Sequence, residues 1–142
     1  MKIFLIYGEE NAGKTTTCQK ILDWLNANGW SQISHEKIEN PADSWFNDFK
    51  AKGIFNNKTI AIYSPGDDRA HVRAALSFAN DPAACDILIA TVRKGIRYRQ
   101  VTDPLEVSPQ YSVCWETLER YDDVPDKENA ENNLVKKLTS FF

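Results

Sequence analysis

Eight residues near the amino terminus, Gly8-Glu9-Glu10-Asn11-Ala12-Gly13-Lys14-Thr15, constrain the fold of this chain more than any other stretch. Before them runs Ile3–Tyr7, a continuous apolar segment of strand-forming residues. After them Cys18, Ile21, Leu22 and Leu25 recur at i, i+3, i+4 and i+7, which puts them on one face of a helix, and Gly29 supplies a stop. A buried strand, a glycine turn and an amphipathic helix in that order open an α/β fold.

The rest of the chain keeps the alternation. Trp30–Asn40 has room for a short edge strand around Ile33 or Ile38. Asp43 and Ser44 are candidate caps of a short helix carrying Trp45, Phe46 and Phe49 and ending at Gly53, and Asn56-Asn57 reads as a turn. Thr59–Tyr63 is a second strand, closed by Ser64-Pro65-Gly66. The helix after it takes Asp67 or Asp68 as cap and Val72, Ala75, Leu76 and Ala79 as apolar face. Ile87–Val92 is apolar throughout, as a central strand must be when both its faces are covered. Arg93–Gln110 lacks a period and reads as a long loop, a class usually functional or disordered. Tyr111–Trp115 is a candidate last strand, Asp122–Lys127 a polar connector, and Lys127–Phe142 a closing helix with Leu134, Leu138 and Phe141 on one face. The expected fold is an α/β three-layer sandwich with a mostly parallel sheet, in one domain spanning residues 1–142.

Composition narrows the function classes. With 17 Lys and Arg against 20 Asp and Glu, the net charge of -3 argues against a dedicated nucleic-acid binder. Cys18, Cys85 and Cys114 have no paired spacing, which fits reduced thiols in a cytoplasmic protein and no zinc site. The Ile3–Tyr7 run is too short for a membrane span or a signal-peptide core.

Gly8–Thr15 matches G-x-x-x-x-G-K-[ST] at every fixed position. Each position has a chemical reason. The glycines let the backbone curl so that its N–H groups face phosphate oxygens, Lys14 reaches the β- and γ-phosphates, and Thr15 offers its hydroxyl to magnesium. The helix that starts here adds the positive end of its dipole. Over Ile3–Leu25 the sequence resembles the P-loop NTPase superfamily. The resemblance implies a P-loop NTPase-like fold that binds a nucleoside triphosphate, ATP or GTP, with Mg2+. Gly8, Asn11, Ala12, Gly13, Lys14, Thr15 and Thr16 would surround the phosphates. Glu9 and Glu10 sit oddly in such a loop. They either face solvent, where their charge is screened, or touch a base, a metal water or a partner.

Members of this superfamily usually add an Asp at a second strand end to hold the magnesium water. Asp67 and Asp68 are the candidates, with helix capping as the structural alternative. Asp67 is also the candidate metal residue beside Thr15. Ser64-Pro65-Gly66 resembles the D-x-x-G switch of small GTPases, but Tyr63 stands in place of its Asp and no Asn-Lys-x-Asp occurs. No strand ends in Asp-Glu, against a motor ATPase. The pattern is more similar to a small kinase that transfers the γ-phosphoryl group to a small-molecule acceptor. Lys14, Asp67, Asp68, Arg93 and Arg97 are then the catalytic candidates, with Arg99 as a further lid arginine and Gly95 as a hinge. Thr91 is either a γ-phosphate sensor or an ordinary strand residue. Trp45 and Phe46 pack a core or line an acceptor pocket. The alternative function is a nucleotide-dependent switch or slow NTPase that docks a protein or nucleic-acid partner through Arg93–Gln110.

Overall fold

The computed structural model describes residues 1–10, 12–38, 48–66, 69–95, 105 and 107–142, with the backbone alone at Arg69. The described elements are β1 (Lys2–Gly8), α1 (Lys14–Ala27), β2 (Ser31–Lys37), β3 (Phe49–Phe55), β4 (Lys58–Tyr63), α2 (Arg69–Asn80), β5 (Ile87–Arg93), β6 (Ser112–Thr117) and α3 (Val124–Thr139). The strands form one six-stranded sheet in the order β2-β3-β4-β5-β1-β6.

β1 and β5, the two continuous apolar runs, lie side by side in parallel, with Ile3 opposite Leu88 and Gly8 opposite Arg93. β6 and β4 flank them, also in parallel. Successive side chains leave a strand on opposite faces, so one run of residues feeds two cores. Phe4, Ile6, Ile60, Ile62 and Ile89 pack with Ile21, Leu22 and Leu25 of α1 and Leu134 and Leu138 of α3. Ile3, Leu5, Ala61, Leu88 and Ala90 pack with Val72, Ala75 and Ala79 of α2. The sheet therefore carries helices on both faces; Leu134 and Leu138 are buried as their periodicity predicts, whereas Phe141, read onto the same face, lies beyond the end of α3 and is exposed, and Phe142 is buried instead.

Three expectations change. The sheet is mixed, not mostly parallel, because β3 runs antiparallel to both β2 and β4. The cause is local. Only two residues, Asn56 and Asn57, separate β3 from β4, and a two-residue connection can join only antiparallel neighbours. Both have positive φ (49° and 62°), as the common tight hairpin turn requires. Second, Phe49–Gly53 belongs to β3, not to a helix. Phe49, Ala51 and Phe55 face the α1 side, while Lys52 faces α2 and donates to the carbonyls of Phe78 (2.7 Å) and Asp81 (2.6 Å) at that helix's end. This is a period of two that two lysines obscure. The Asp43–Phe46 part of the same reading lies outside the described residues. Third, Val124–Lys127 is the first turn of α3, not a connector, with Asp123 preceding it and a proline at its start.

β2 is the edge strand expected between Trp30 and Asn40. Its pairing shifts between Gln32 and Ser34 around the exposed Ile33. Such an irregularity discourages edge-to-edge pairing. Among the described residues no helix is long and apolar enough to cross a membrane.

Candidate functional site

The carboxyl ends of β1, β4 and β5 meet the amino ends of α1 and β3. Ligands of open α/β sheets bind at such carboxyl ends. Here the Gly8–Thr15 segment turns from β1 into α1. Gly13 caps the helix with φ +100°, a conformation open to glycine at little strain. A Cβ there would also collide with the Glu131 carboxylate of α3. Ala12 N donates to Glu9 O at 3.1 Å, closing the turn. Lys14 curls back over its own loop, its Nζ donating to Gly8 O (3.0 Å) and Glu9 O (2.7 Å). The amine is thus held at the loop by carbonyl oxygens. Thr16 faces solvent on the first turn of α1, while Thr17 is buried and donates to Gly13 O at 2.8 Å.

Thr15 points the other way. Its Oγ1 donates to Asp48 Oδ1 at 3.1 Å, and Ser64 Oγ donates to the same oxygen at 2.9 Å. Asp48 is only 7% exposed, and its Oδ2 joins no hydrogen bond among the described residues. Asp48 precedes β3. Because β3 is antiparallel to β4, its first residues lie beside the last residues of β4, with Lys50 opposite Tyr63. The hairpin thus returns an acid to the strand end where one was expected, from a position before β4 instead of after it.

The predicted residues divide accordingly. Gly8, Ala12, Gly13, Lys14, Thr15 and Arg93 are brought together at the ends of β1 and β5. Asn11, Asp67, Asp68 and Arg97 lie outside the described residues. Arg93 Nη2 pairs with Glu10 Oε2 at 2.9 Å, and Lys94 Nζ with Glu9 Oε1 at 3.7 Å. This accounts for the two glutamates: both are exposed, Glu10 paired with the last residue of β5 and Glu9 with the first residue beyond it. The Lys94 amide also donates to Gly8 O at 2.7 Å. Thr91 is buried, and its hydroxyl donates to Ser64 O at 2.7 Å, which ties it to the neighbouring strand end. A Cβ on Gly66 would collide with Thr91, so the chain after β4 presses against β5.

Sequence reasoning missed Asp48 and Ser64. The signal available was the hairpin. Once Asn56-Asn57 is read as a two-residue turn and Phe49, Ala51 and Gly53 as one face of a strand, Asp48 is placed at the end of β4.

The charges here are unequal in setting. Burial pushes the Cys18 thiol, one turn beyond Lys14, up from 9.0 to about 12; the Asp48 carboxylate adds to the rise and Lys14 opposes it. Glu131 pairs with Lys20 through Oε1 at 3.1 Å, while its buried Oε2 has no hydrogen-bond partner among the described residues. Among the described residues no three His, Cys, Asp or Glu side chains gather as a metal site. A cation here would draw on Thr15, Asp48 and oxygens from its ligand. That all-oxygen donor set suits magnesium, which keeps waters and takes few protein ligands. No family model matches the chain, and neither a curated protein nor a solved structure matches it.

Proposed function

We propose that the Gly8–Thr15 loop is a P-loop that binds a nucleoside triphosphate with magnesium, and that the protein is a small kinase acting on a small-molecule acceptor. One observation carries the reading: Thr15 and Asp48 meet at 3.1 Å beside a lysine folded into its own loop. The motif alone requires a hydroxyl for the metal, and it does not require a buried carboxylate against that hydroxyl.

Lys14 would exchange its two carbonyl partners for β- and γ-phosphate oxygens, trading neutral acceptors for charged ones. Thr15 and Asp48 would hold the magnesium ion, Asp48 through a bound water. The metal would supply charge neutralisation to the phosphates. Asp48 thereby takes over the metal role first assigned to Asp67, and Asp67 and Asp68 stay candidates for orienting the acceptor. Arg93, beside Gly8 in the strand register and paired with Glu10 of the loop, would stabilise the transferring group, joined by Arg97.

Calorimetric titration with non-hydrolysable ATP and GTP analogues, with and without magnesium, tests the binding. The expected result is magnesium-dependent binding of one nucleotide. Lys14→Ala should weaken it by roughly tenfold to a hundredfold, the value of a charge-assisted contact. Equal binding by the parent and Lys14→Ala would remove the reading. An acceptor panel then tests phosphoryl transfer.

A second reading has one observation in its favour. Two ion pairs and the Lys94 amide tie the end of β5 and the residue after it to Gly8, Glu9 and Glu10. A nucleotide that draws Arg93 from Glu10 would disturb that tie, as a switch requires. Nucleotide-dependent protease protection of Arg93–Gln110 without acceptor turnover would favour it.

A further inference from the structure

We infer that Ser64 is a positioning residue for magnesium: it fixes the Asp48 carboxylate while Thr15 engages the metal. The inference rests on the nucleotide–magnesium reading above.

Asp48 Oδ1 has two donors in this structure, Thr15 at 3.1 Å and Ser64 at 2.9 Å. Their situations differ. Thr15 sits on the nucleotide loop, and its oxygen is the atom expected to face the metal. Ser64 sits at the carboxyl end of β4 and is 1% exposed. It is held from four directions. Its backbone N–H donates to Phe49 O at 3.0 Å, and its hydroxyl accepts from Phe49 N at 2.9 Å. Its carbonyl accepts from Thr91 Oγ1 at 2.7 Å, and its own proton goes to Asp48. A hydroxyl with one donated and one accepted bond has its proton direction set. The chain Thr91–Ser64–Asp48–Thr15 therefore runs from the central strand β5 to the first turn of α1, crossing the ends of β4 and β3. Of the two donors to Asp48, Ser64 is the one that belongs to neither the loop nor the expected metal ligands, so it stays in place when the loop fills. With Oδ1 occupied in this way, Oδ2 is the oxygen left to face a metal-bound water.

The test is a magnesium titration at fixed ATP analogue, followed by calorimetry, with metal-free nucleotide affinity measured separately. Ser64→Ala should raise the magnesium midpoint about tenfold, the loss expected for a hydrogen bond to a charged group, and change metal-free affinity less than twofold. A merely structural serine would lower both together or neither, and either result overturns the inference. Ser64→Thr and Ser64→Val, matched in shape and differing by the hydroxyl, carry the same comparison if Ser64→Ala does not fold; equal midpoints in that pair also overturn it. The two failures are distinguishable. A parent protein that binds no nucleotide ends the nucleotide reading and this inference with it. A parent with magnesium-dependent binding and variants with an unmoved midpoint ends this inference alone.

Discussion

The loop is held on two flanks, and the flanks are built differently. On one, Thr15, Asp48, Ser64 and Thr91 form a chain of hydrogen bonds of 2.7–3.1 Å around a carboxylate that is nearly out of solvent. On the other, Glu9 and Glu10 pair with Lys94 and Arg93 through side chains that are about half-exposed. Both flanks join the loop region to the end of a strand. Water makes them unequal. A buried carboxylate that loses its donors has nothing to replace them, whereas an exposed ion pair that opens is rehydrated. The buried flank is suited to fixing geometry, and the exposed flank to exchanging partners.

The largest effect should follow from breaking the buried flank. Asp48→Ala strips the acceptor from two hydroxyls, one of them fully enclosed, and should lower unfolding stability by roughly 1–3 kcal/mol in a denaturant titration. It should also abolish the magnesium dependence of nucleotide binding. A variant as stable as the parent would show that the network contributes nothing to the fold.

A pH titration reads the core behind this flank, through a thiol shifted first by burial and then by Asp48. The folded state holds the Cys18 thiol neutral up to about pH 12, against 9.0 in the ordinary case. This contribution to stability is complete below pH 9, where the unfolded thiol is neutral too. It is lost as pH rises from 9 towards 12, because only the unfolded chain then releases the proton. The slope should approach about 1.4 kcal/mol per pH unit from this one group, and Cys18→Ala should flatten it. Equal slopes in the parent and the variant would remove Cys18 from the account.

The smallest effect belongs to the exposed flank. Glu10→Gln should change stability by less than about 1 kcal/mol, with the difference shrinking as salt is added. If it costs as much as Asp48→Ala, the contrast between the flanks collapses.

The chain's own pattern reveals much of this arrangement. β1, the glycine turn and α1 are legible because each is decided by neighbours a few residues away: the apolar run, the two glycines, the spacing of Cys18, Ile21, Leu22 and Leu25. The same holds for β4, β5, the apolar face of α2 and, in α3, for Leu134 and Leu138 but not Phe141, which lies past the helix end and is exposed. β3 is harder, since Lys50 and Lys52 hide its alternation. Lys52 is buried because its amine finds two carbonyls at the end of α2, a circumstance no local pattern announces. Arg93 is legible as a basic residue at a strand end, but its resting partner Glu10, 83 positions away, is not.

By itself, then, the sequence determined the strand, the glycine turn and the helix start from which the proposed phosphate loop is built. Glycine backbone freedom, a lysine and a helix start are local properties, and local properties survive without a fold. Only the tertiary structure decided which carboxylate stands opposite Thr15. Asp48 is 33 residues away from it, and the two meet because a two-residue turn sends β3 antiparallel to β4 and so returns the chain to the end of the sheet where the loop begins. A charge is placed at a site by the path of the backbone, and that path is set by pairing and packing across the whole sheet.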